Sequence, residues 1–430
     1  MMATIAAPTT PNRIPLYALL GANTISLLGS QLTLVAIPWF VLLTTGSATR
    51  TGIVAFCEIV PMIIASFFGG ALVDRFGHRR TSILSDLISG LTVILIPLLH
   101  STIGLAFWQL LVLVFCGALF NVPGGTARAA LLPDLTALAG LPIERATSAV
   151  QAIQRGSRLL GAPVAGLMVA AFGATTPLWL DGATFLVSAV LLALLVAAPQ
   201  RIAAPKGANT GATSGRYLEE VREGVRFIRS DRLILTIVLT IMATNLIEAV
   251  AWVGAPVYAN RLYGSALALG LMTGAAGGGA MVSAILYGAY GHRLSRRTLY
   301  IGCFILVALG YWPLAFLPPL PVTIVALALL GLAAGPINPI LGAVQYERVP
   351  PELRGRVIGA ISAGANLAMP LGVLVGGVLL DHLSLGLVYG LVAGTFLIAT
   401  LTMLFNPIFR QMDKQVETPV HESQAAGASA

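Results

Sequence analysis

The feature that most constrains this chain is an internal repeat at a separation of 218 residues. Residues 35–52 align with residues 253–270 without an insertion, and the same offset carries residues 70–80 onto residues 288–298. This constant register continues through a helix, an outer turn, a second helix and a basic loop. The chain therefore contains two related halves that run in the same direction.

Small residues carry much of the repeat. Gly52 falls on Gly270 at the offset of 218, and Gly166 falls on Gly377 at a second offset of 211. Because the two offsets differ by about seven residues, we expect the halves to differ in length in their third and fourth helices.

Composition places both halves in a membrane. Hydrophobic residues make up 57% of the chain and charged residues 10%, and the mean hydropathy is +0.88. Soluble domains carry about 25% charged residues, so a water-soluble fold is excluded. Long apolar stretches reach the roughly 20 residues that span a bilayer. Twelve are predicted, at about 16–44, 51–73, 81–99, 105–127, 147–171, 175–198, 233–256, 266–290, 299–317, 322–345, 357–380 and 384–405.

The longest loop divides these spans into two sets of six. We predict an N-terminal bundle at 1–198, a linker at 199–232, a C-terminal bundle at 233–410 and a disordered tail at 411–430. The linker begins with a flexible Gly/Ala/Thr stretch. Its second half has an amphipathic pattern and is predicted to form a helix, which lies either at the membrane interface or against the bundle floor. No strand pattern is needed, so the fold class is all-α.

The distribution of positive charge predicts the orientation in the membrane. Among 25 Lys and Arg residues, Arg50 and Arg261 fall in loops on one side, and Arg155 and Arg158 fall within a span. The remainder lie in the tails and loops of the opposite side. The positive-inside rule then places both termini in the cytoplasm, in a multi-pass protein of the inner (plasma) membrane. The net charge of +8 is an orientation signal, so no nucleic-acid partner is expected.

Residues 69–86 carry a motif between the second and third spans. It matches the pattern G-x-L-x-D-R-x-G-R-[KR] of the major facilitator superfamily through Gly70, Leu72, Asp74, Arg75, Gly77 and Arg79, with His78 as a mild departure. Residues 121–135, 178–189 and 218–234 resemble the drug-efflux branch of that family, which includes macrolide and siderophore exporters. The resemblance covers roughly residues 14–406.

The resemblance implies twelve helices in two pseudo-symmetric bundles around a central cavity, with transport by alternating access that is usually driven by protons. It also implies that Asp74, Arg75 and Arg79 form a charge clamp, which holds the bundles together at the cytoplasmic face in the outward-open state. At the repeat position of Asp74 stands His292, so the second copy of the clamp is weakened or pH-sensitive.

Ionisable groups within spans are candidates for function, because each costs about 2.5–3.5 kcal/mol at mid-helix on insertion scales. Glu248 is the first candidate. Asn245, Glu248 and Trp252 share one helix face at spacings of three and four residues. A carboxylate, an amide and an indole on one wall could hold a cationic amphiphile, and the carboxylate could exchange a proton. A buried Glu that serves only packing is the alternative.

Five further ionisable groups lie within spans. Glu58 and Asp181 are candidates for proton exchange, or else form hydrogen bonds between helices. Arg155 and Arg158 share a face of the fifth span and must meet carboxylates, carbonyls or water, although they could also attract an anionic substrate. Asp86 is interpreted as structural, because it lies close to the loop residues Asp74, Arg75 and Arg79. The polar stripe of Asn23, Ser26, Ser30 and Thr33 suits either a water-lined cavity or contacts between helices.

Three functions remain open. The first is a proton-coupled exporter (an antiporter) of hydrophobic or amphiphilic small molecules, conferring multidrug resistance, with the proton and membrane lipid as further partners. The second is a transporter of an anionic metabolite or siderophore. The third, a polytopic membrane enzyme, is disfavoured because no histidine has metal or catalytic-triad spacing and no phosphate-binding loop is present. No cofactor or metal is expected.

Overall fold

The computed structural model describes residues 11–196 and 214–413, which form fourteen α-helices, one short π-helix, two short 3₁₀ helices and, within those ranges, no strand. The helices are α1 (Ile14–Thr45), α2 (Ala48–Phe76), α3 (His78–Thr102), α4 (Phe107–Leu138), α5 (Ile143–Phe172), α6 (Thr176–Leu195), α7 (Ser214–Ser230), α8 (Arg232–Tyr258), α9 (Ala266–Tyr290), α10 (Arg296–Ala315), α11 (Leu320–Ala334), α12 (Ile337–Arg348), α13 (Arg354–His382) and α14 (Leu385–Phe405).

These helices confirm the all-α fold and the twelve crossings, with α11 and α12 together forming the tenth. Eleven segments of the described chain are long and apolar enough to cross a membrane. The one crossing not among these eleven segments is α5, which has 30 residues but is less apolar because Arg155 and Arg158 lie in its middle.

The tenth crossing is broken in two, as its prolines predict. Helix α11 ends at Ala334, and α12 begins after Pro336, whose missing N–H and fixed φ favour a new helix start. Gly335 stands at the break because a Cβ there would lie 1.8 Å from the Oγ of Ser283 on α9. The break therefore lets α11 pack closely against α9.

The helices form two bundles of six crossings. In the N-terminal bundle, α1 packs between α5 and α6, and α4 packs between α2 and α3. In the C-terminal bundle, α8 packs mainly on α13 and less on α14, and α11 packs between α9 and α10. The bundles meet chiefly through two helix pairs, α2 with α13 and α5 with α9.

The two ends of the molecule differ in how closely the bundles approach. We call the face that carries Asn12 and Asn406, which flank the first and last crossings, the terminal face. The opposite face, with the turns at Gly46 and Gly264, is the distal face. Both turn glycines have positive φ, 66° and 60°, where a side chain would be strained.

Near the distal face, two glycine pairs bring the bundles into backbone contact. A Cβ on Gly52 would lie 2.5 Å from the carbonyl oxygen of Val373 and 3.3 Å from the Cα of Gly377. A Cβ on Gly166 would lie 2.9 Å from the Cα of Gly270. These are the glycines that the two repeat offsets align, so the sequence repeat corresponds to a repeated contact between the bundles.

One carboxylate strengthens the distal contact. The Asp381 oxygens accept hydrogen bonds from the Ser47 hydroxyl and from the backbone N–H groups of Ala48 and Thr49, each at 2.8 Å. The end of α13 thus caps the N-terminus of α2, where a negative charge is favourable. Among hydrogen bonds between described residues, those that join the bundles all lie at this face and involve residues 47–49 with residues 377–381.

Towards the terminal face the bundles separate. The stripe of α13 that contacts α2 at Val373 and Gly377 continues through Asn366, Ser362 and Gly359, which are all exposed. We call the space between the bundles that opens at the terminal face the vestibule. The structure is therefore closed at the distal face and open at the terminal face.

The predicted amphipathic helix is α7, which packs on the C-terminal bundle. Gly224 lies against the carbonyl of Arg356 at the start of α13, Glu223 pairs with Arg356, and Ile228 is buried. Of the two positions that the sequence leaves open, this contact supports packing against the bundle floor. The preceding linker, 199–213, lies outside the described residues. A 3₁₀ turn at Pro407–Asp413 buries Met412, and the predicted tail beyond it also lies outside.

Candidate vestibule site

Glu248 lies on the vestibule side of α8, at mid-depth. Its side chain is exposed on the vestibule side, although many atoms of the C-terminal bundle surround it on its other sides. Its position 16 residues after Arg232 puts it about 24 Å from the terminal end of α8 at 1.5 Å per residue. The exposed Leu239 and Ala243 point in the opposite direction around the helix, towards lipid. The carboxylate is therefore accessible from the vestibule and not from the bilayer.

A tyrosine on a neighbouring helix holds this carboxylate. The Tyr311 hydroxyl, on α10, donates a hydrogen bond to an Oε of Glu248 at 2.9 Å. Tyr311 is buried and its ring stacks on Phe396 of α14, with centroids 5.4 Å apart. Three helices thus determine where the carboxylate lies. Its other oxygen has no hydrogen-bond partner among the described residues and can bind a proton or a cation.

Trp252 and Asn245 share the Glu248 face but play different parts. Trp252 is 36% exposed, so its indole is available in the vestibule next to the carboxylate. The Asn245 side chain instead donates to the carbonyl oxygen of Ala365 on α13 at 3.0 Å. Its amide N–H therefore joins α8 to α13, whereas the sequence suggested that this side chain contacts substrate.

Arg155 and Arg158 face the vestibule from the other bundle. Around α5, Gly161 contacts Gln31 of α1, and Gly166 contacts Gly270 of α9. The two arginines lie between these contact directions, about 180° from the exposed, lipid-facing Leu160, Val164 and Leu167. The sequence allowed for pairing with an acid of the same bundle. Within the described chain, neither arginine forms an ion pair or a hydrogen bond, and both are exposed.

Glu58 and Asp181 lie in the N-terminal bundle in different settings. Asp181 is 1% exposed and accepts a hydrogen bond from the Thr33 hydroxyl of α1, with Thr184 at 3.3 Å. Thr33 therefore faces α6, which removes it from the predicted cavity stripe on α1. Glu58, on α2, is half-buried and has no hydrogen-bond partner among the described residues.

The motif between α2 and α3 forms a sharp turn at the terminal face. Gly77, with φ of 85°, both ends α2 and precedes α3, a conformation that disfavours any side chain. Arg79 donates to the carbonyl oxygens of Leu192 and Ala193, at 3.4 and 2.5 Å, and so caps the end of α6.

The remaining motif residues are free in this state. Asp74 and Arg75 are exposed and form no hydrogen bond or ion pair among the described residues, and a Cβ on Gly70 would meet nothing within 4 Å. A structure open at the terminal face is the state in which a clamp at that face would be released.

Two polar contacts were missed from the sequence. Tyr311 gave no signal because one tyrosine in an apolar helix does not reveal its partner. The second is a buried ion pair between Asp86 and Arg128, at 3.0 Å, with the Ser188 hydroxyl donating to Asp86 at 2.6 Å. The charge distribution alone predicts a loop position for Arg128, whereas α4 continues ten residues beyond it and buries it.

Known proteins agree with this architecture. The family model described as Major Facilitator Superfamily matches residues 19–264 and 241–426. The chain is 34% identical over 424 residues to the multidrug efflux pump Tap of Mycobacterium tuberculosis, covering 96% of this chain and 99% of that protein. It is 22% identical over 416 residues to macrolide efflux protein A of Streptococcus pyogenes, covering 93% of this chain and 98% of that protein.

Solved structures share the fold at low identity. The nucleoside transporter NupG superposes with a TM-score of 0.74 at 12% identity, covering 90% of this chain and 98% of that chain. A bacterial homologue of the human lysosomal transporter Spinster, in an inward-facing conformation, superposes with a TM-score of 0.69 at 14% identity, covering 96% of this chain and 100% of that chain. With its motif, its two bundles and these matches, the chain belongs to the major facilitator superfamily and is a multi-pass membrane transporter of small molecules.

Proposed function

We propose that this protein exports hydrophobic or amphiphilic small molecules from the cytoplasm in exchange for protons. The observation that carries this proposal is Glu248, a carboxylate that is open to the vestibule, held by Tyr311 and adjacent to the exposed Trp252. A carboxylate beside an aromatic surface suits a cationic amphiphile. The efflux names of the similar proteins support the direction of transport.

Alternating access would use the two bundles, 1–198 and 233–410, as rocking units. In the observed state the vestibule opens at the terminal face, and substrate would enter there. Rocking would separate the glycine contacts at the distal face and close the terminal face through the Asp74 motif. Glu248 would bind either a proton or the cationic substrate, so proton entry from outside would release the substrate.

Everted membrane vesicles test this function directly. With the protein present, energisation that acidifies the lumen should drive uptake of a cationic dye such as rhodamine 6G, and collapsing the pH gradient with nigericin should release it. Uptake that persists after the pH gradient is collapsed would contradict proton coupling. Vesicles carrying the Glu248→Gln variant provide the matched control.

A second candidate function rests on a different observation. Arg155 and Arg158 are exposed in the vestibule without partners in the described chain, which favours a substrate with an anionic group, such as a carboxylate metabolite or siderophore. If the anion alone determined binding, neutral dyes and purely cationic dyes would not be transported, whereas acidic substrates would be.

The proposed location is the plasma membrane, with both termini in the cytoplasm. Single cysteines at Arg50 and Arg261 should then react with an impermeant maleimide from outside the cell. Cysteines at His78 and His292 should react only after the membrane is opened, because the basic loops stay inside. External labelling at either histidine position would overturn this orientation.

We also propose that α7 contacts lipid headgroups at the cytoplasmic interface. Its Arg222, Arg226 and Arg229 are exposed while Ile228 is buried on the bundle. Exposed arginines at this depth would lie close to phosphates of the inner leaflet.

Asp74→Asn is expected to slow uphill efflux by about tenfold or more without loss of folding, since a charge clamp acts only by stabilising one of two states. The residue is exposed and has no partner among the described residues in the observed state, so this state should not be destabilised. Dye efflux per unit of purified protein is the measurement. An unchanged efflux rate would show that the clamp contributes little.

A further inference from the structure

From the charges that line the vestibule, we infer that the preferred substrates are zwitterionic amphiphiles, with an acidic group bound by Arg155 and Arg158 and a cationic group bound by Glu248. The inference rests on the proposed function for the direction of transport, and it combines the two candidate substrate classes into one.

The basic side of this site is built on α5. Contacts of α5 with α9 include, in order from the distal face, Gly166 with Gly270, Pro163 with Gly274 and Leu159 with Gly278. Arg158 is the next residue, and Arg155 lies one turn further towards the terminal face. Ala162 and Gly166 are buried whereas both arginines are exposed, so the arginines lie on the vestibule side of the buried part of this contact.

The acidic side is built on α8 at a comparable depth. Arg155 and Arg158 lie about 18 and 22 Å from the terminal end of α5, and Glu248 lies about 24 Å from that of α8. Helix α1 contacts both α5 and α8, and so does α9. The two charged walls therefore flank one space, without direct packing between α5 and α8.

The charges remain available to a ligand. Glu248 has a neutral partner, Tyr311, and the arginines have no partner among the described residues. An amphiphile that carries only a positive charge would be attracted by Glu248 but repelled by the two arginines of α5. One that carries only a negative charge would be attracted by the arginines but repelled by Glu248. A molecule with both charges satisfies both walls, and Trp252 offers a surface for its apolar part.

A matched pair of dyes tests this arrangement. Rhodamine B carries a carboxylate and a delocalised cation, whereas its ethyl ester keeps the same cation and ring system without the carboxylate. Binding to the purified full-length protein is measured by fluorescence anisotropy. We expect the parent protein to bind rhodamine B more tightly than the ester.

The variants separate the two walls. Arg155→Gln with Arg158→Gln should weaken rhodamine B about tenfold and leave the ester unchanged or slightly tighter, since one charge-assisted contact is lost and one repulsion is removed. Arg155→Lys with Arg158→Lys should keep the preference for rhodamine B. Glu248→Gln should weaken both dyes. Arg145→Gln removes an exposed charge in the first turn of α5, about 15 Å nearer the terminal face than Arg155, and is the control that should change neither.

The outcomes are distinct. A double Gln variant that weakens both dyes equally, or a parent protein that prefers the ester or binds neither dye, contradicts the zwitterion site. If both dyes are exported with a proton gradient but the arginine variants do not discriminate, this inference fails and the proposed function stands. If binding discriminates but export ignores the gradient, the proposed function fails and the site stands.

Discussion

Glu248→Gln should abolish uphill export while leaving substrate exchange partly intact. Glutamine keeps the size and can still accept the Tyr311 hydrogen bond, but it cannot titrate or carry charge. Accumulation of a cationic dye in everted vesicles should therefore fall to the level found without a gradient. Exchange without a gradient should slow by about tenfold for a cationic dye, because its charged contact is lost, and much less for a neutral one.

Two sets of comparisons identify the coupling residue. Tyr311→Phe keeps the carboxylate and removes its donor, so coupling should survive with an altered dependence on pH. Glu58→Gln and Asp181→Asn should lower coupling without preference for dye charge if those groups carry protons alone. If Glu248→Gln exports as well as the parent while Asp181→Asn abolishes export, the coupling role belongs to α6, and the assignment to Glu248 is wrong.

The fold could be predicted because each of its determinants is local or repeated. Apolar length gives the crossings, Pro336 gives the break between α11 and α12, and the constant offsets give two related bundles. Even the contact glycines at positions 52, 166, 270 and 377 were visible as aligned pairs. The offsets do not show which glycines are in contact. Each N-terminal glycine packs against the repeat of the other one: Gly52 contacts Gly377, and Gly166 contacts Gly270.

The site could be predicted only in part. A charge within a span marks a candidate, which is how Glu248, Arg155 and Arg158 were found, and the helix period placed Trp252 beside Glu248. Partners depend on helices distant in sequence. Asn245 bonds to α13, and Arg128 pairs with Asp86, because of tertiary packing that no spacing within one helix can reveal.

The distal closure also escaped prediction. Asp381 follows the last apolar turn of α13 and resembles an ordinary loop acid in sequence. Its function as a cap depends on α2 beginning opposite it, with the Ala48 and Thr49 N–H groups directed at its oxygens. The repeat position, Ala170, cannot do the same, so the cap is present on only one side of the pseudo-symmetric closure.

Gly166→Leu is expected to stop transport by preventing closure of the distal face. The added Cβ alone would lie 2.6 Å from the carbonyl oxygen of Ala266 and 2.9 Å from the Cα of Gly270, both of them backbone atoms that cannot rotate away. An overpacking cost of about 3 kcal/mol would change the ratio of distal-closed to distal-open molecules by about two orders of magnitude. Gly377→Leu should act in the same way through α2.

Accessibility of the vestibule from each side distinguishes this effect from misfolding. In a background without the native cysteines, a cysteine at Trp252 should react with an impermeant reagent from the terminal side in the parent and from the distal side in Gly166→Leu.

A matched control lies on the same helix as Gly166. A Cβ on Gly156 of α5 would meet nothing within 4 Å, so leucine at this position should leave transport near the parental rate. If Gly166→Leu transports normally, or stays closed at the distal face, the glycine contacts do not form the distal closure. Loss of transport in Gly156→Leu as well would assign the effect to bulk on the helix rather than to the contact between bundles.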